Sequence, residues 1–373
     1  MPIRRTYLDY ASAAPLVPKA ARAYTKALLL FGNASAVHAE GRAAKGALEE
    51  ARTAIARTFA VKPEELVFTS GGTESNNIAI LNTSAKHCIA STIEHSSVLK
   101  AFGKLEARGV KITYLKPKAD GLISAWDVLS ALTPETGLVS LHHVNSETGT
   151  VQPIADIGRA LKKKDEKIVF HVDAAQSPMW LDAGPHTLQA DLVSYDAQKV
   201  GGPKGVGILY RDYKVAFPQS GGTQERGIRP GTENVPAIVA AASAFVEAAK
   251  GKKSRVVAVG KLRDLLRTEI TKAVPSAEVL GSMKRRVANN LFIAIPGVDG
   301  DYLAVLMDKA GVAVSPRSAC IGSGTGYSQV ALELTHDMGT AKGPIRFTLG
   351  PDTKRADIVR AVRALARAIL VTV

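Results

Sequence analysis

Apolar and polar positions along this chain fall into blocks whose spacing changes from element to element. Near the N-terminus, "VPKAARAYTKALLLFGN" carries apolar residues at helical spacing and stops at Gly32–Asn33. "HAEGRAAKGALEEARTAIARTFA" predicts a second helix. Short apolar runs then alternate with helical patterns. "ELVFTS" precedes "TESNNIAILNTSA", "KHCIAST" precedes "SSVLKAFGKLEARG", "VKITYL" precedes "SAWDVLSAL", and "GLVSLHHVN" precedes "IADIGRALKKK". "KIVFHVDAA", "ADLVSYDA" and "GVGILYR" close the series. Short apolar strands separated by helices predict an α/β fold with a mostly parallel sheet covered on both faces. A long helical stretch at roughly 236–273 reads as the connection to a second domain. Beyond it, "VANNLFIAIPG", "DYLAVLMDKAG", "VAVS" and "PIRFTLG" form a smaller alternating set, closed by a C-terminal helix.

Composition narrows the function classes. With 373 residues and 46% apolar content, the chain can build a large domain and a smaller one. "MPIRRTYLDYASAAPL" has no apolar run after its basic residues, and stretches such as "IVAAASAFVEAA" are too short to span a bilayer. A cytoplasmic protein without membrane contact is expected. The two cysteines cannot make a disulfide framework. Cys88 sits in a strand-like run and reads as a buried structural thiol. Cys320 sits among small residues and glycines in "SPRSACIGSGTG", which suits chemistry better than core packing.

The formal net charge of +14 raises the question of nucleic acid. The charges are dispersed, however, apart from 161–167 and 250–255, which read as solvated helix ends, and Arg360, Arg363 and Arg367 share one helix face. Aromatic residues make up only 5%, and no zinc-ligand spacing is present. Direct nucleic-acid binding is not expected, and no metal site is expected either.

The chemistry-bearing segments lie at strand ends. In "FTSGGTESNN" a strand stops, two glycines turn the chain, and a helix begins at Thr73. Free N–H groups and the helix dipole make such a point an anion site. A P-loop is excluded, because "GGPKGVGILY" lacks its order and runs into a strand. No Rossmann fingerprint follows a strand. A phosphate cup with a separate lysine at a strand end, Lys199 in "SYDAQKVGGPKGVG", points instead to pyridoxal phosphate. That cofactor needs an amine for its aldehyde, an acid for its pyridine nitrogen, a flat group against its ring and a cup for its phosphate. "VFHVDAAQ" supplies Asp173 and Gln176, and "STIEHSSV" supplies His95. Singly, such an Asp also serves as a helix cap and such a His as a hydrogen-bonding group. In combination with Lys199 they make the cofactor reading. Lys204 reads as a turn residue.

With these segments in view the chain resembles the cysteine desulfurases of the NifS/IscS type, within the class V aminotransferase group of pyridoxal-phosphate enzymes. The resemblance runs over nearly the whole chain, through "YLDYASAAPL", "GNASAVHAEG", "FTSGGTESNN", "EHSSVL", "VNSETGTVQPI", "HVDAAQ", "QKVGGPKGVGILY", "GGTQERGIRPGTENV", "SPRSAC" and "PIRFTLG". It implies fold type I, with a large domain (13–252) built on a mostly parallel seven-stranded sheet. A smaller α+β domain (1–12 with 253–373) would carry the cysteine loop. It also implies a homodimer with active sites at the subunit interface.

The resemblance implies the following roles. Lys199 anchors the cofactor and moves the α-proton, Asp173 pairs with the pyridinium, and Gln176 bonds the ring oxygen. His95 stacks on the ring and serves as acid-base group on the substrate thiol. Thr73 and neighbouring amides, Gly72 included, hold the phosphate with Thr232 from the partner subunit. Arg346 clamps the substrate carboxylate, with Asn33 nearby. Cys320 attacks the sulfur of L-cysteine, keeping it as a persulfide while L-alanine leaves. The acceptor would be an iron-sulfur scaffold or a tRNA-thiolating enzyme. The sequence departs from the family pattern at Gln198 (histidine in relatives), Asp196 (serine), Ser146 (asparagine) and Pro316–Arg317 (small residues). Gln198 can replace the missing donor. Asp196 repels a phosphate unless it is turned away. Arg317 either lowers the Cys320 pKa or faces solvent. Competing readings are transamination or selenocysteine lysis on the same cofactor, a degenerate partner protein without cofactor, and an RNA-binding protein.

Overall fold

The structure, a computed structural model, describes residues 5–212, 221–317 and 326–372. Among these residues the strands are β1 (Thr6–Tyr7), β2 (Leu66–Thr69), β3 (His87–Ser91), β4 (Lys111–Leu115), β5 (Thr136–His142), β6 (Val169–Asp173), β7 (Leu192–Asp196), β8 (Gly207–Arg211), β9 (Glu278–Val279), β10 (Asn290–Ala294), β11 (Val312–Ala313) and β12 (Pro344–Thr348). β2 to β8 form a seven-stranded sheet in the order β2-β8-β7-β6-β5-β3-β4. From β4 to β7 every pairing is parallel. β8 runs antiparallel to both neighbours. The reason is the length of the connection: β7 reaches β8 through a short turn, and a parallel partner needs a crossover of a dozen or more residues. β3 and β5 are buried almost throughout, which is why they read as continuous apolar runs rather than alternations.

The order also fixes where a ligand can sit. From β3 the chain moves outward to β4, then returns on the other side of β3 to lay down β5, β6 and β7. The direction of winding therefore changes between β3 and β5, and the crevice beyond their carboxyl ends is the binding position of an open α/β sheet. Two smaller sheets complete the molecule. β12, β10 and β9 are antiparallel, and β1 pairs in parallel with β11. A bridge between Asp9 and Thr348 carries the N-terminal segment from β1 onto β12.

Three helical expectations change. The 236–273 stretch is two helices, Val235–Ala249 and Lys252–Ala273. Lys250 is extended and Gly251 has φ 60°, a conformation glycine takes without strain. The first helix ends at Ala27, so Leu29 and Phe31 beyond it are exposed and fill no core. Gln329–Thr335 and Met338–Lys342 form helices the apolar pattern did not signal, capped by Ser328 and Asp337. Cys88 is fully buried, and burial pushes its thiol up to about 12, as an inert core residue requires. Lys162, Lys163 and Lys164 sit exposed in the last turn of the helix Ile154–Lys164. No helix among the described residues is long and apolar enough to cross a membrane.

Candidate active site

The crevice beyond β3, β5 and β6 holds a cavity of about 270 Å³. Gly72, Thr73, His95, Asp173, Gln176, Gln198, Lys199 and Arg346 all line it, so the structure brings together candidate residues that lie far apart in the sequence. A larger groove of about 650 Å³ opens at the other end of the sheet, between the starts of β5, β6 and β7. It holds none of the candidate residues, and the chemistry points to the smaller cavity.

Asp173 ends β6 and is buried. Its Oδ1 accepts the Ala175 N–H at 3.0 Å, and its Oδ2 accepts from Asn76 Nδ2 at 2.8 Å. The other Asn76 amide hydrogen goes to Ser97 Oγ at 2.9 Å. Ser97 Oγ in turn lies 2.8 Å from His95 Nδ1. His95 caps the helix Ser96–Glu106, and its Nδ1 accepts the Ser97 N–H at 3.2 Å. That acceptor role leaves the proton of a neutral ring on Nε2. A continuous hydrogen-bonded chain thus runs from the Asp173 carboxylate through Asn76 and Ser97 to the His95 imidazole. Asn76 falls three residues after Thr73 on the same helix face, and Ser97 two after His95. Those offsets are the signal by which they could have been picked out.

Two residues before Asp173 on β6, His171 spans Ser140 Oγ (2.8 Å) and Ser194 Oγ (3.0 Å) across three strands. Burial lowers its pKa to about 4, so the ring is neutral at pH 7. His143, at the end of β5, is lowered to about 4 for the same reason, with neighbouring His142 adding to the effect.

Lys199 lies in the 3-10 turn Ala197–Val200 that follows β7. Gly201 ends the turn at φ 77°, and a Cβ there would meet Val17 Cγ1 at 2.6 Å. Gly201 therefore serves a tight bend under the N-terminal segment. Lys199 Nζ donates to Ala11 O at 2.8 Å and Ser12 O at 2.7 Å, and Gln176 Nε2 donates to Ala11 O at 2.9 Å. Lys204, beyond the bend, is exposed, as a turn residue should be.

Asp196 lines the same cavity. Its oxygens accept Gln198 N–H at 3.2 Å and Gln198 Nε2 at 3.1 Å. Arg346, on β12, is almost completely buried. It donates to Ser146 O at 2.7 Å, Asp9 Oδ1 at 2.9 Å and Ser12 Oγ at 2.7 Å. Asp9 and Ser12 escaped the sequence reading because they act through others, Asp9 by holding this arginine and Ser12 by holding both it and Lys199 Nζ.

The remaining candidates lie elsewhere. Asn33 is exposed, accepts the Ser35 N–H at 2.9 Å, and does not line the cavity. Thr232 is exposed and outside it too. The segment carrying Thr232 is nevertheless tied to the sheet. Arg229 Nε bonds Glu74 Oε1 at 3.1 Å, and buried Arg52 grips Glu225 through both Nη atoms at 2.8 and 2.7 Å. Glu225 and Arg226 hold φ 47° and 58°, a strained pair that this ion pair keeps in place. Cys320 lies outside the described residues. Upstream of it, Ser315 bridges to Arg346, which lines the cavity. Arg317 is buried and pairs with Asp301 at 2.9 Å, so it does not face solvent. No cluster of metal-ligating side chains occurs among the described residues.

An amine, a carboxylate and a helix N-terminus on separate walls of one cavity form the donor set that pyridoxal phosphate requires. The residues fit the group, with one discordant member, Asp196.

Comparison with known proteins agrees. The family model for class-V aminotransferases matches residues 6–360. "Cysteine desulfurase IscS" of Dictyoglomus turgidum is 37% identical over 377 residues, covering 98% of this chain and 95% of that one. Among solved structures, a NifS-like protein superposes with a TM-score of 0.91 at 28% identity, covering 99% of this chain and 100% of the other. SspA in complex with cysteine superposes with a TM-score of 0.79 at 34% identity, covering 93% and 99%.

Proposed function

The chain belongs to the class-V aminotransferase family, and from that premise we propose that it is a cysteine desulfurase: it takes sulfur from L-cysteine, releases L-alanine and carries the sulfur as a persulfide on Cys320. The observation that carries the reading is the convergence of Lys199, Asp173 and the Gly72–Thr73 helix start on one cavity, closed by Arg346 from the other sheet.

Pyridoxal phosphate supplies an electron sink next to the substrate α-carbon. Lys199 would hold it through Nζ, and the same amine would move the substrate α-proton. An ordinary lysine has a pKa of about 10.4, so this work needs the amine uncharged. The Ala11 and Ser12 carbonyls that hold Nζ give it a fixed starting position. Asp173, oriented by Ala175 and Asn76, would hold the ring nitrogen through its carboxyl group. His95, oriented by Ser97, presents Nε2 to the substrate sulfur and exchanges its proton there. Arg346 binds the substrate carboxylate, with its guanidinium held in plane by Asp9, Ser12 and Ser146. Cys320 attacks as a thiolate, and the new sulfur–sulfur bond forms as the carbon–sulfur bond breaks. The exposed Thr232, outside the cavity of its own chain, suits donation to a partner's phosphate site in a homodimer. An acceptor protein in the cytoplasm completes the proposal.

Purified protein given L-cysteine and a reductant should release alanine and sulfide in equal amounts, and Cys320→Ala should stop both. Keto-acid-dependent amino transfer that survives that substitution would favour a transaminase. Colourless protein from cofactor-replete cells would favour a degenerate partner.

A further inference from the structure

Asp196 stands where the proposed phosphate subsite calls for positive charge. It ends β7, and its carboxylate rests against Gly72. A Cβ built on that glycine would lie 3.4 Å from Asp196 Cβ and 3.6 Å from Oδ2. Gly72 opens the helix Gly72–Leu81, whose first-turn N–H groups and dipole attract an anion. The side chain is not turned away from this point. Gln198 holds it by both oxygens, and both residues line the cavity.

The surroundings do not neutralise it. The helix Gly72–Leu81 brings Glu74, already engaged with Arg229. β6 brings Asp173, and the turn after β7 brings Lys199, whose Nζ is held by two carbonyls. On its other sides β8 pairs it with Gly207, and the N-terminal segment meets the turn through Ala14. Among the described residues no cation forms an ion pair with Asp196. A phosphate entering here would come up against the Asp196 carboxyl group. A carboxylate and a phosphate dianion within hydrogen-bond reach of each other do not both stay ionised.

We propose that Asp196 makes this subsite select a monoprotonated phosphate ester, with one proton from solvent held between the carboxylate and a phosphate oxygen. The inference rests on the pyridoxal-phosphate reading above. A phosphate monoester loses its second proton at about pH 6. Above that pH, binding takes up one proton, so affinity falls about tenfold per pH unit. Below it no uptake is needed and the dependence flattens.

The test is titration of apoprotein with pyridoxal phosphate across neutral pH, alongside phosphorus NMR of the bound phosphate. Lys199 also responds to pH, so wild type is compared with Asp196→Asn, which keeps size and capping ability but loses the charge. Asp196→Ser is a second neutral variant in case the first folds poorly. Between about pH 7 and 8 the wild type should weaken relative to either variant by about tenfold. Its bound phosphate should keep the monoanion resonance where the variants show the dianion. A wild-type dianion resonance, with an affinity ratio independent of pH, overturns this proposal alone. Failure of all three proteins to bind pyridoxal phosphate overturns the cofactor reading, and this proposal falls with it.

Discussion

The two ends of the cavity are built differently. At the end proposed for the pyridine ring, Asp173, Asn76, Ser97 and His95 form one chain in which each named donor meets an acceptor. At the end proposed for the phosphate, a helix N-terminus that attracts anions is faced by the carboxylate of Asp196, held there by Gln198. The first end handles electrons and protons, so the position of each atom affects the barrier. The second only retains the cofactor, and retention can weaken without altering the reaction. Two of the departures from the family pattern, Asp196 and Gln198, lie at the second end, where they replace none of the groups that handle electrons and protons.

Substitutions at each end test this contrast. Lys199→Ala removes the group on which both ends converge. Alanine formation should fall by about a thousandfold or more, and the visible absorbance of the lysine-bound cofactor should vanish. Full turnover in that variant would make the convergence irrelevant. Asp173→Asn should cut kcat/KM by about a hundredfold. It also sets an amide against the Asn76 and Ala175 donors, at a stability cost of roughly 1–3 kcal/mol, readable by urea unfolding. Near-wild-type values would show that the pyridine end is no more demanding than the phosphate end.

Acid should reach the pyridine end through His171. Its folded pKa of about 4 lies below the unfolded value of about 6.5. The unfolded chain therefore binds the extra proton first, and stability is lost as pH falls through that window. His143 behaves alike. Each should cost about 2 kcal/mol between pH 7 and 5, seen as a falling Tm, and His171→Asn should remove its share. A Tm unchanged over that range would contradict the buried neutral rings. The smallest effect belongs to the phosphate end. Thr73→Ala should weaken pyridoxal phosphate by about fivefold, the worth of one hydrogen bond, with the bound cofactor's spectrum unchanged. A changed spectrum would mean the two ends are coupled.

Much of this arrangement could be read from the chain. β3, β5, β6 and β7 match the apolar runs because a parallel strand covered on both faces needs nearly unbroken apolar residues, and Lys199, Asp173 and His95 stand at or just beyond the ends of such runs. The break at Gly251 was hidden because flanking residues on both sides keep helical composition, and one left-handed glycine outweighs it. The exposed Leu29 and Phe31 misled in the opposite direction, since apolar spacing says nothing about whether a core is present to receive it.

By itself the sequence determined the alternation of strands and helices, the turns that end them, and the residue types placed at those ends. These are short-range properties, set by periodicity and backbone preference within a few residues. The tertiary structure decided the rest. Strand order placed β3 beside β5 and opened the crevice between them. β12 delivered Arg346 from a different sheet to Asp9 and Ser12. Rotamers and packing divided the Asn76 amide between Asp173 and Ser97 and aimed Asp196 at Gly72. Those outcomes depend on register and on contacts between residues distant in sequence, which no local pattern encodes.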